Sequence, residues 1–159
     1  MLHEDIHDVK KKSAMTVLVV IACSTSQIEP AQTAIEIFCK ETGGLLIGRR
    51  VNDETHKVLL MIRLPQTASA NKHRTVLSEA LQHHVIESFR YVSCDLVQIS
   101  FNPSVNLQEQ MRDFPLRPEE SWFPAIHDSH EVYVSLSMPV MLAKQAAWLH
   151  AHEAEWAFV

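Results

Sequence analysis

An uninterrupted apolar run near the start of the chain, over residues 16–22, constrains the fold most. Most of its side chains are β-branched, which favours an extended backbone over a helix. It shows no alternation of apolar and polar residues, and this is typical of a strand that is covered on both faces. The rest of the chain must therefore supply the helices or strands that cover it.

A helix is predicted directly after this strand, over residues 28–40. Ser26 and Glu29 match a capping box, and Pro30 falls in the first turn, where a missing backbone donor costs little. Gly43 is expected to end the helix by taking a positive φ. The apolar residues recur at helical spacing: Ile28, Ala31, Ile35 and Phe38.

The middle of the chain predicts a hairpin, a helix and a strand. Residues 45–50 and 57–64 are two strand-like runs on either side of a polar turn. Residues 74–89 carry apolar side chains every four positions, which predicts an amphipathic helix. Residues 95–101 alternate as a strand does.

The last third is interrupted by prolines, and no internal repeat is evident. Residues 103–120 predict a polar connection with one helical turn, followed by short strands at 122–126 and 132–136. Ser137 could cap a final helix that runs to residue 156. The order of elements predicts one mixed α/β domain over 15–159, after a frayed polar lead-in over 1–14.

Composition excludes several classes of function. The chain has 159 residues, a net charge of -5 and a pI near 6.0, so it offers no basic face for nucleic acid or an anionic membrane. No apolar run approaches the length of a membrane span, and the polar start lacks the core of a signal peptide. Three cysteines without a C-x-x-C pair favour reduced thiols, so a soluble cytoplasmic protein is expected.

Two motifs point to a family. Residues 41–48 read Glu-Thr-Gly-Gly-Leu-Leu-Ile-Gly, and further along residues 100–103 read Ser-Phe-Asn-Pro, with ten residues separating Asn102 from Asp113. With the order of elements, these motifs make residues 16–136 resemble the MPN/JAB (JAMM) family, whose catalytic members are zinc isopeptidases that remove ubiquitin or ubiquitin-like proteins. The resemblance implies a single mixed-sheet, cytidine-deaminase-like domain flanked by helices.

The resemblance also assigns site positions, most of which lack the family's residues. Glu41 stands at the catalytic Glu, Ser100 and Asn102 at the two metal-binding His, Asp113 at the Asp ligand, and Gln110 at the oxyanion-stabilising Ser. A catalytic zinc needs three protein ligands and a water, and neutral Ser or Asn oxygens are weak zinc ligands. We therefore expect no metal and no other cofactor.

The residues themselves leave simpler roles open. Glu41 could be a solvated or locally hydrogen-bonded residue at a helix end. Asp113 could cap the turn before Pro115. The three glycines match neither the dinucleotide nor the P-loop fingerprint, so nucleotide binding is not expected.

By resemblance, the chain is expected to be a catalytically inactive member that acts as a protein-binding or assembly module in a ubiquitin-like system. Its partners would be another MPN protein, a ubiquitin-like protein or its enzymes, and homodimers would be compatible with the pairing of such domains. The alternative is a zinc isopeptidase or metallopeptidase with a site remodelled around Glu41 and Asp113. A third hypothesis is a metal-binding or pH-responsive domain that uses the ten histidines.

Histidine pairs and C-terminal aromatic residues carry the remaining alternatives. On a helix, adjacent or next-but-one histidines point apart, which disfavours chelation, whereas the loop histidines could chelate or simply form a turn. The C-terminal aromatic side chains could pack on their own sheet or anchor a partner. The residues concerned are His83, His84, His127, His130, His150, His152, Trp148, Leu149, Trp156 and Phe158.

Overall fold

The computed structural model describes residues 8–10, 15–65 and 74–159. Within these ranges the chain packs as two compact units. The N-terminal unit is Val17–Ser93, and the C-terminal unit is Cys94–Val159 together with the described residues before Val17. The sequence predicts one domain over 15–159, whereas the contacts in the structure form two units.

Nine strands and four helices are defined in the described part of the chain. In chain order they are β1 (Val9–Lys10), β2 (Thr16–Ser24), α1 (Ile28–Thr42), β3 (Leu45–Asn52), β4 (Lys57–Leu64), α2 (Arg74–Gln82), β5 (Ser88–Ser100), α3 (Leu107–Met111), β6 (Ser121–Pro124), β7 (Glu131–Leu136), β8 (Val140–Met141), α4 (Ala143–Ala151) and β9 (Glu155–Phe158). The predicted mixed α/β class with flanking helices is confirmed, and the structure adds that the sheet is antiparallel.

The N-terminal unit is a sheet with two helices on one face. β3, β4, β2 and β5 are neighbours in that order, and β4 pairs antiparallel with both β3 and β2. Alternate residues of β2 and β4 point to α1 and α2 and form the buried core of this unit. This core includes Val19, Ile21, Cys23, Ile35, Phe38, Val58, Leu60, Ile62 and Leu77.

The C-terminal unit has the same arrangement with different sequence. β6, β7, β5 and β9 are neighbours in that order, and each of these pairs is antiparallel. Its core lies between this sheet and the helices α3 and α4. The core includes Val97, Ile99, Met111, Phe114, Val132, Val134 and Leu149.

Both units therefore follow the order β-α-β-β-α-β, which is that of the ferredoxin-like arrangement. In each, the second strand lies at one edge of the sheet, followed by the third, the first and the fourth. The registers agree as well, since Ser24 pairs with Lys57 and Ser100 pairs with Glu131. Repetition is thus present in the structure, although none is evident in the sequence.

The first helix and the hairpin match their predictions, but the predicted capping box does not form. Residues 25–27 make a turn of 3-10 helix, and α1 begins after Gln27 without a side-chain cap. The Ser26 hydroxyl instead contacts that of Ser24, at 3.0 Å. Gly43 ends α1 as predicted, with a φ of 73° and a bond from its N–H to the carbonyl of Cys39.

The predicted helix over 74–89 is too long, because the chain turns after Gln82. His84 takes a left-handed conformation with a φ of 59°, and the carbonyl of Ala80 accepts from the N–H groups of both Val85 and Ile86. Helices commonly end at a residue with a left-handed backbone conformation, and this residue is usually glycine or asparagine. The chain from Ser88 onward is strand β5 rather than helix.

The predicted final helix, from Ser137 to residue 156, is wrong at both ends. α4 spans Ala143–Ala151 only, and the Gln145 side chain accepts from the N–H of Leu142 at its start. Glu153, with a φ of 55°, ends it as His84 ends α2. The following residues form β9, which pairs with β5, so that Trp156 lies opposite Ile99.

The polar lead-in over 1–14 lies partly outside the described residues, which include only 8–10 of it. These do not fray: β1 pairs antiparallel with β8, and the carboxylate of Asp8 accepts from the N–H of Ala143 at 2.6 Å. Among the helices of the described ranges, none is both long enough and apolar enough to cross a membrane.

Candidate functional site

The two positions that the resemblance assigns to metal-binding histidines have structural roles in the C-terminal unit. Ser100 ends β5, and its hydroxyl donates to the carboxylate of Glu131 at 3.4 Å. Asn102 is exposed, and its side-chain oxygen accepts from the N–H of Ser104 at 3.1 Å and from its hydroxyl at 3.0 Å. Both side chains stabilise the end of a strand and the turn that follows it.

The remaining predicted site residues are spread over the two units. Gln110 lies half-buried in α3, and Asp113 is exposed just after it, both in the C-terminal unit. Glu41 is exposed in the last turn of α1, in the N-terminal unit. The alternative of a site remodelled around Glu41 and Asp113 stays a prediction.

No group of three or more His, Cys, Asp or Glu side chains is placed to hold a metal ion within residues 8–10, 15–65 and 74–159. His83 and His84 are both exposed. His152 stacks on Trp148, with ring centroids 3.7 Å apart. The backbone N–H of His130 donates to the carboxylate of Asp128 at 2.8 Å, and this bond is typical of a turn.

The C-terminal aromatic residues pack within their own unit. Trp148 meets Phe114 edge-to-face at 5.2 Å and Phe101 at 6.2 Å. Leu149 is fully buried, and Trp156 and Phe158 pack against the same core. Of the two alternatives for these residues, the structure favours packing on the unit's own sheet.

The cysteines are poorly suited to nucleophilic chemistry. All three are free thiols, Cys23 and Cys94 are buried, and Cys39 is half-buried. Burial raises the pKa of Cys23, and the nearby carboxylate of Glu87 raises it further. Burial also raises the pKa of Cys39, against the opposing effect of a bond from the Leu46 backbone. Since the thiolate is the reactive form, these thiols are weak nucleophiles at neutral pH.

A groove of about 790 Å³ lies in the N-terminal unit, at the hairpin end of the sheet. We call it the hairpin groove. It is lined by the turn over 52–55, by Arg50 and Leu59 of the hairpin strands, by Ala22 of β2, and by Lys57 and Glu87. Its volume is in the range of pockets that hold drug-sized ligands.

Strand pairing explains the floor of the hairpin groove. Arg50 pairs with Leu59, and Leu59 pairs with Ala22, so the three side chains stand in one row across β3, β4 and β2. Val58 and Leu60, on either side of Leu59, point to the buried helix-covered face. The row therefore lies on the face that α1 and α2 leave uncovered, with half-buried Ala22 and Leu59 as its apolar part.

Charges of both signs surround this floor. Lys57 and Glu87 form an ion pair, which leaves little net charge on that side. Arg50 is exposed, and its side chain makes no hydrogen bond or ion pair within the described part of the chain. Asp53 and Glu54 lie in the exposed turn, whose shape is held by bonds from the N–H groups of Glu54 and Thr55 to Asn52.

The sequence alone does not predict this groove. The hairpin and its polar turn are visible in the sequence, but Ala22 and Glu87 are brought to it only by the order of strands. The sequence offers one signal, since Arg49 and Arg50 are adjacent cations on the predicted first strand of the hairpin. That signal does not identify which residues complete the floor.

The C-terminal unit contains a buried carboxylate, Glu120, which the sequence does not predict either. Glu120 accepts from the backbone N–H and the guanidinium of Arg117, both at 2.8 Å, and from the N–H of Ser137 at 3.0 Å. It also accepts from the side chain of Gln145 at 3.0 Å, and Gln145 donates further to the carbonyl of Pro115. These bonds tie the 115–120 loop to α4 and to the segment before β8.

The pKa of Glu120 lies below its ordinary value despite burial. Burial alone would raise the pKa, but the donors of Arg117, Ser137 and Gln145 together outweigh it. A carboxylate that stays ionised, and whose two oxygens both accept hydrogen bonds, is suited to stabilising the fold. It is not suited to proton transfer at neutral pH. We therefore regard the hairpin groove, and not Glu120, as the candidate functional site.

Comparisons with known proteins give no family. No protein-family model matches the chain, and no curated protein does. Among solved structures, one described as a candidate glycine cleavage system transcriptional repressor is similar at a TM-score of 0.37 and 12% identity, covering 92% of this chain and 98% of the other. An unknown protein from Galdieria sulphuraria is similar at a TM-score of 0.32 and 9% identity, with 92% and 98% covered. At such scores the likeness carries no argument.

Proposed function

We propose that this chain is a catalytically inactive binding module that holds a protein partner, and that the hairpin groove is its binding site. One observation carries the proposal: the groove combines an apolar floor with an exposed arginine that has no acceptor in the described chain. Exposed charge beside apolar surface is typical of a recognition site, where polar groups set specificity.

The roles of the predicted site residues support a non-catalytic function. A hydrolase of the expected kind needs metal ligands whose lone pairs face one point. Here the Ser100 hydroxyl is bound to Glu131, and the Asn102 oxygen is occupied by Ser104. Both groups form hydrogen bonds within the fold.

Membership of the MPN/JAB family, with its single cytidine-deaminase-like sheet, stays a prediction from the motifs at 41–48 and 100–113. So do a partner from a ubiquitin-like system and a homodimer. The binding role proposed here does not depend on that family, because it rests on the groove of one unit. The order of elements described above is that of two ferredoxin-like units.

Metal analysis separates this proposal from the alternatives. Chain purified without an affinity tag is expected to contain zinc far below one equivalent. One equivalent of zinc that is lost in Asp113→Ala would favour the metallopeptidase instead. Zinc that survives this change but is lost on substitution of histidines would favour the histidine-rich metal domain.

Partner capture tests the binding role itself. Wild type, Arg50→Glu and Arg49→Glu are immobilised and compared for proteins retained from a cell extract. Arg49 is the matched control, because it is exposed on the same strand and does not line the groove. We expect a protein that is captured equally by wild type and Arg49→Glu and at least tenfold less by Arg50→Glu. Equal capture by all three would contradict the proposal.

A further inference from the structure

We propose that the hairpin groove binds the C-terminal end of a partner polypeptide, with the terminal carboxylate on Arg50 and an apolar last side chain on Ala22 and Leu59. This inference rests on the proposed function and names the ligand of the same site. It follows from where the charges stand, from the register of the strands and from the size of the groove.

Arg50 is the free cation of the groove within the described residues. Lys57 is paired with Glu87, so its charge is largely compensated. Arg50 has no such partner there, and its guanidinium presents a rigid fork of donors that matches a carboxylate. Within the groove, Arg50 is therefore the group that an anion would bind.

The acidic residues of the turn restrict the anion. Asp53 and Glu54 line the same groove and make no ion pair within the described ranges. They repel ligands with several negative charges, such as nucleotides and polyphosphates, because like charges close together are unfavourable. A ligand with a single carboxylate is repelled less than a ligand with several negative charges.

The floor specifies what the carboxylate is attached to. Leu59 lies between Arg50 and Ala22 in the same cross-strand row, so an apolar side chain next to the bound carboxylate would rest on Leu59 and Ala22. Both are half-buried and have surface left to cover. A groove of about 790 Å³ also has room for the last residues of a polypeptide.

Amide chemical shifts of the isotope-labelled full chain test this inference. The probe is the peptide acetyl-Ala-Ala-Leu with a free carboxylate, and the expected result is saturable shifts of the Ala22, Val51 and Leu59 amides. The same peptide with a C-terminal amide is expected to bind at least tenfold more weakly. Equal binding of the two peptides would overturn the inference.

Two variants assign the carboxylate contact. Arg50→Gln is expected to weaken binding of the free-acid peptide at least tenfold, whereas Arg49→Gln should change it less than twofold. Both lie on an exposed edge strand, and circular dichroism checks that each is folded. Equal weakening by both variants would mean a general charge effect and would overturn the assignment.

A free apolar acid, 4-methylpentanoate, distinguishes the two sources of a carboxylate. Binding at least tenfold weaker than that of the peptide supports a polypeptide end, and binding as tight as that of the peptide overturns it in favour of a small acid. A wrong ligand can be distinguished from a wrong proposed function. If no carboxylate binds but capture still depends on Arg50, the binding role stands and only this ligand is wrong.

Discussion

Glu120 shows how one residue can hold a loop, a helix and a strand end together. It is a carboxylate with no exposed side-chain surface, and it would be costly to bury without the donors that surround it. Arg117, three residues before it, supplies both a backbone and a side-chain donor. Its contribution can be tested by changing one atom.

Glu120→Gln is expected to lower the free energy of unfolding by about 2–3 kcal/mol. The substitution replaces an acceptor with an NH₂ group among donors, and it removes the charge that pairs with Arg117. Urea denaturation measures the change. Ser137→Ala is the control, since its hydroxyl bond is long at 3.3 Å and should cost less than about 1 kcal/mol. A loss in Glu120→Gln no larger than in Ser137→Ala would contradict this role.

Stability should also depend on pH through Glu120. Its pKa is lowered in the folded state from an ordinary value of 4.5, so the folded chain binds this proton less readily than the unfolded chain does. The stabilisation is fully present above pH 4.5 and is lost as the pH falls through the folded-state pKa. Urea midpoints between pH 7 and pH 3 should therefore converge for wild type and Glu120→Gln as the pH falls. Parallel curves would contradict this assignment.

At the scale of elements, the second helix of each unit ends in the same way. Two residues after α2 and two residues after α4, a non-glycine residue takes a left-handed conformation: His84 with a φ of 59° and Glu153 with a φ of 55°. The carbonyls of Ala80 and Leu149 accept the N–H groups that follow these turns. Left-handed backbone strains any residue with a Cβ, so both positions would favour glycine.

His84→Gly and Glu153→Gly are each expected to stabilise the chain by about 0.5–1 kcal/mol, as relief of the strain exceeds the entropy that glycine adds to the unfolded chain. Thermal or urea unfolding measures this. His83→Gly is the control, because residue 83 does not have a positive φ, and it should be neutral or destabilising. Destabilisation by His84→Gly similar to that of His83→Gly would show that the turn is not as described.

For the whole molecule, the main feature is that each unit has its own core. β5 is continuous in the chain, with residues 88–93 in the N-terminal unit and 94–100 in the C-terminal unit. All three tryptophans, Trp122, Trp148 and Trp156, belong to the C-terminal unit. Their fluorescence therefore reports on one unit, whereas circular dichroism reports on both.

Leu60→Ala, in the core of the N-terminal unit, should cost about 2–5 kcal/mol within that unit. We expect an earlier phase in the urea transition seen by circular dichroism and an unchanged midpoint by tryptophan fluorescence. Leu149→Ala, in the other core, should move the fluorescence midpoint. If Leu60→Ala shifts both signals together, the two units unfold as one cooperative body.

The sequence by itself determined the elements whose signals are local. The apolar run at β2, the helical spacing and terminal Gly43 of α1, and the polar turn of the β3–β4 hairpin all act within about a dozen residues. The predictions that two helices extend to residues 89 and 156 were wrong. Their ends depend on His84 and Glu153, which are not typical helix-ending residues. Apolar side chains such as Phe89 and Trp156 fit a helix stripe and a strand equally well, and only packing selects between them.

Only the tertiary structure decided the pairing of strands, and with it the two units and the hairpin groove. Ala22, Arg50 and Leu59 are far apart along the chain, and the β2–β4 and β3–β4 registers place them in one row. Glu120 likewise meets Ser137 and Gln145 only through folding. Such arrangements depend on contacts between distant residues, whose net free energy is set by how the complete core packs and not by any local pattern.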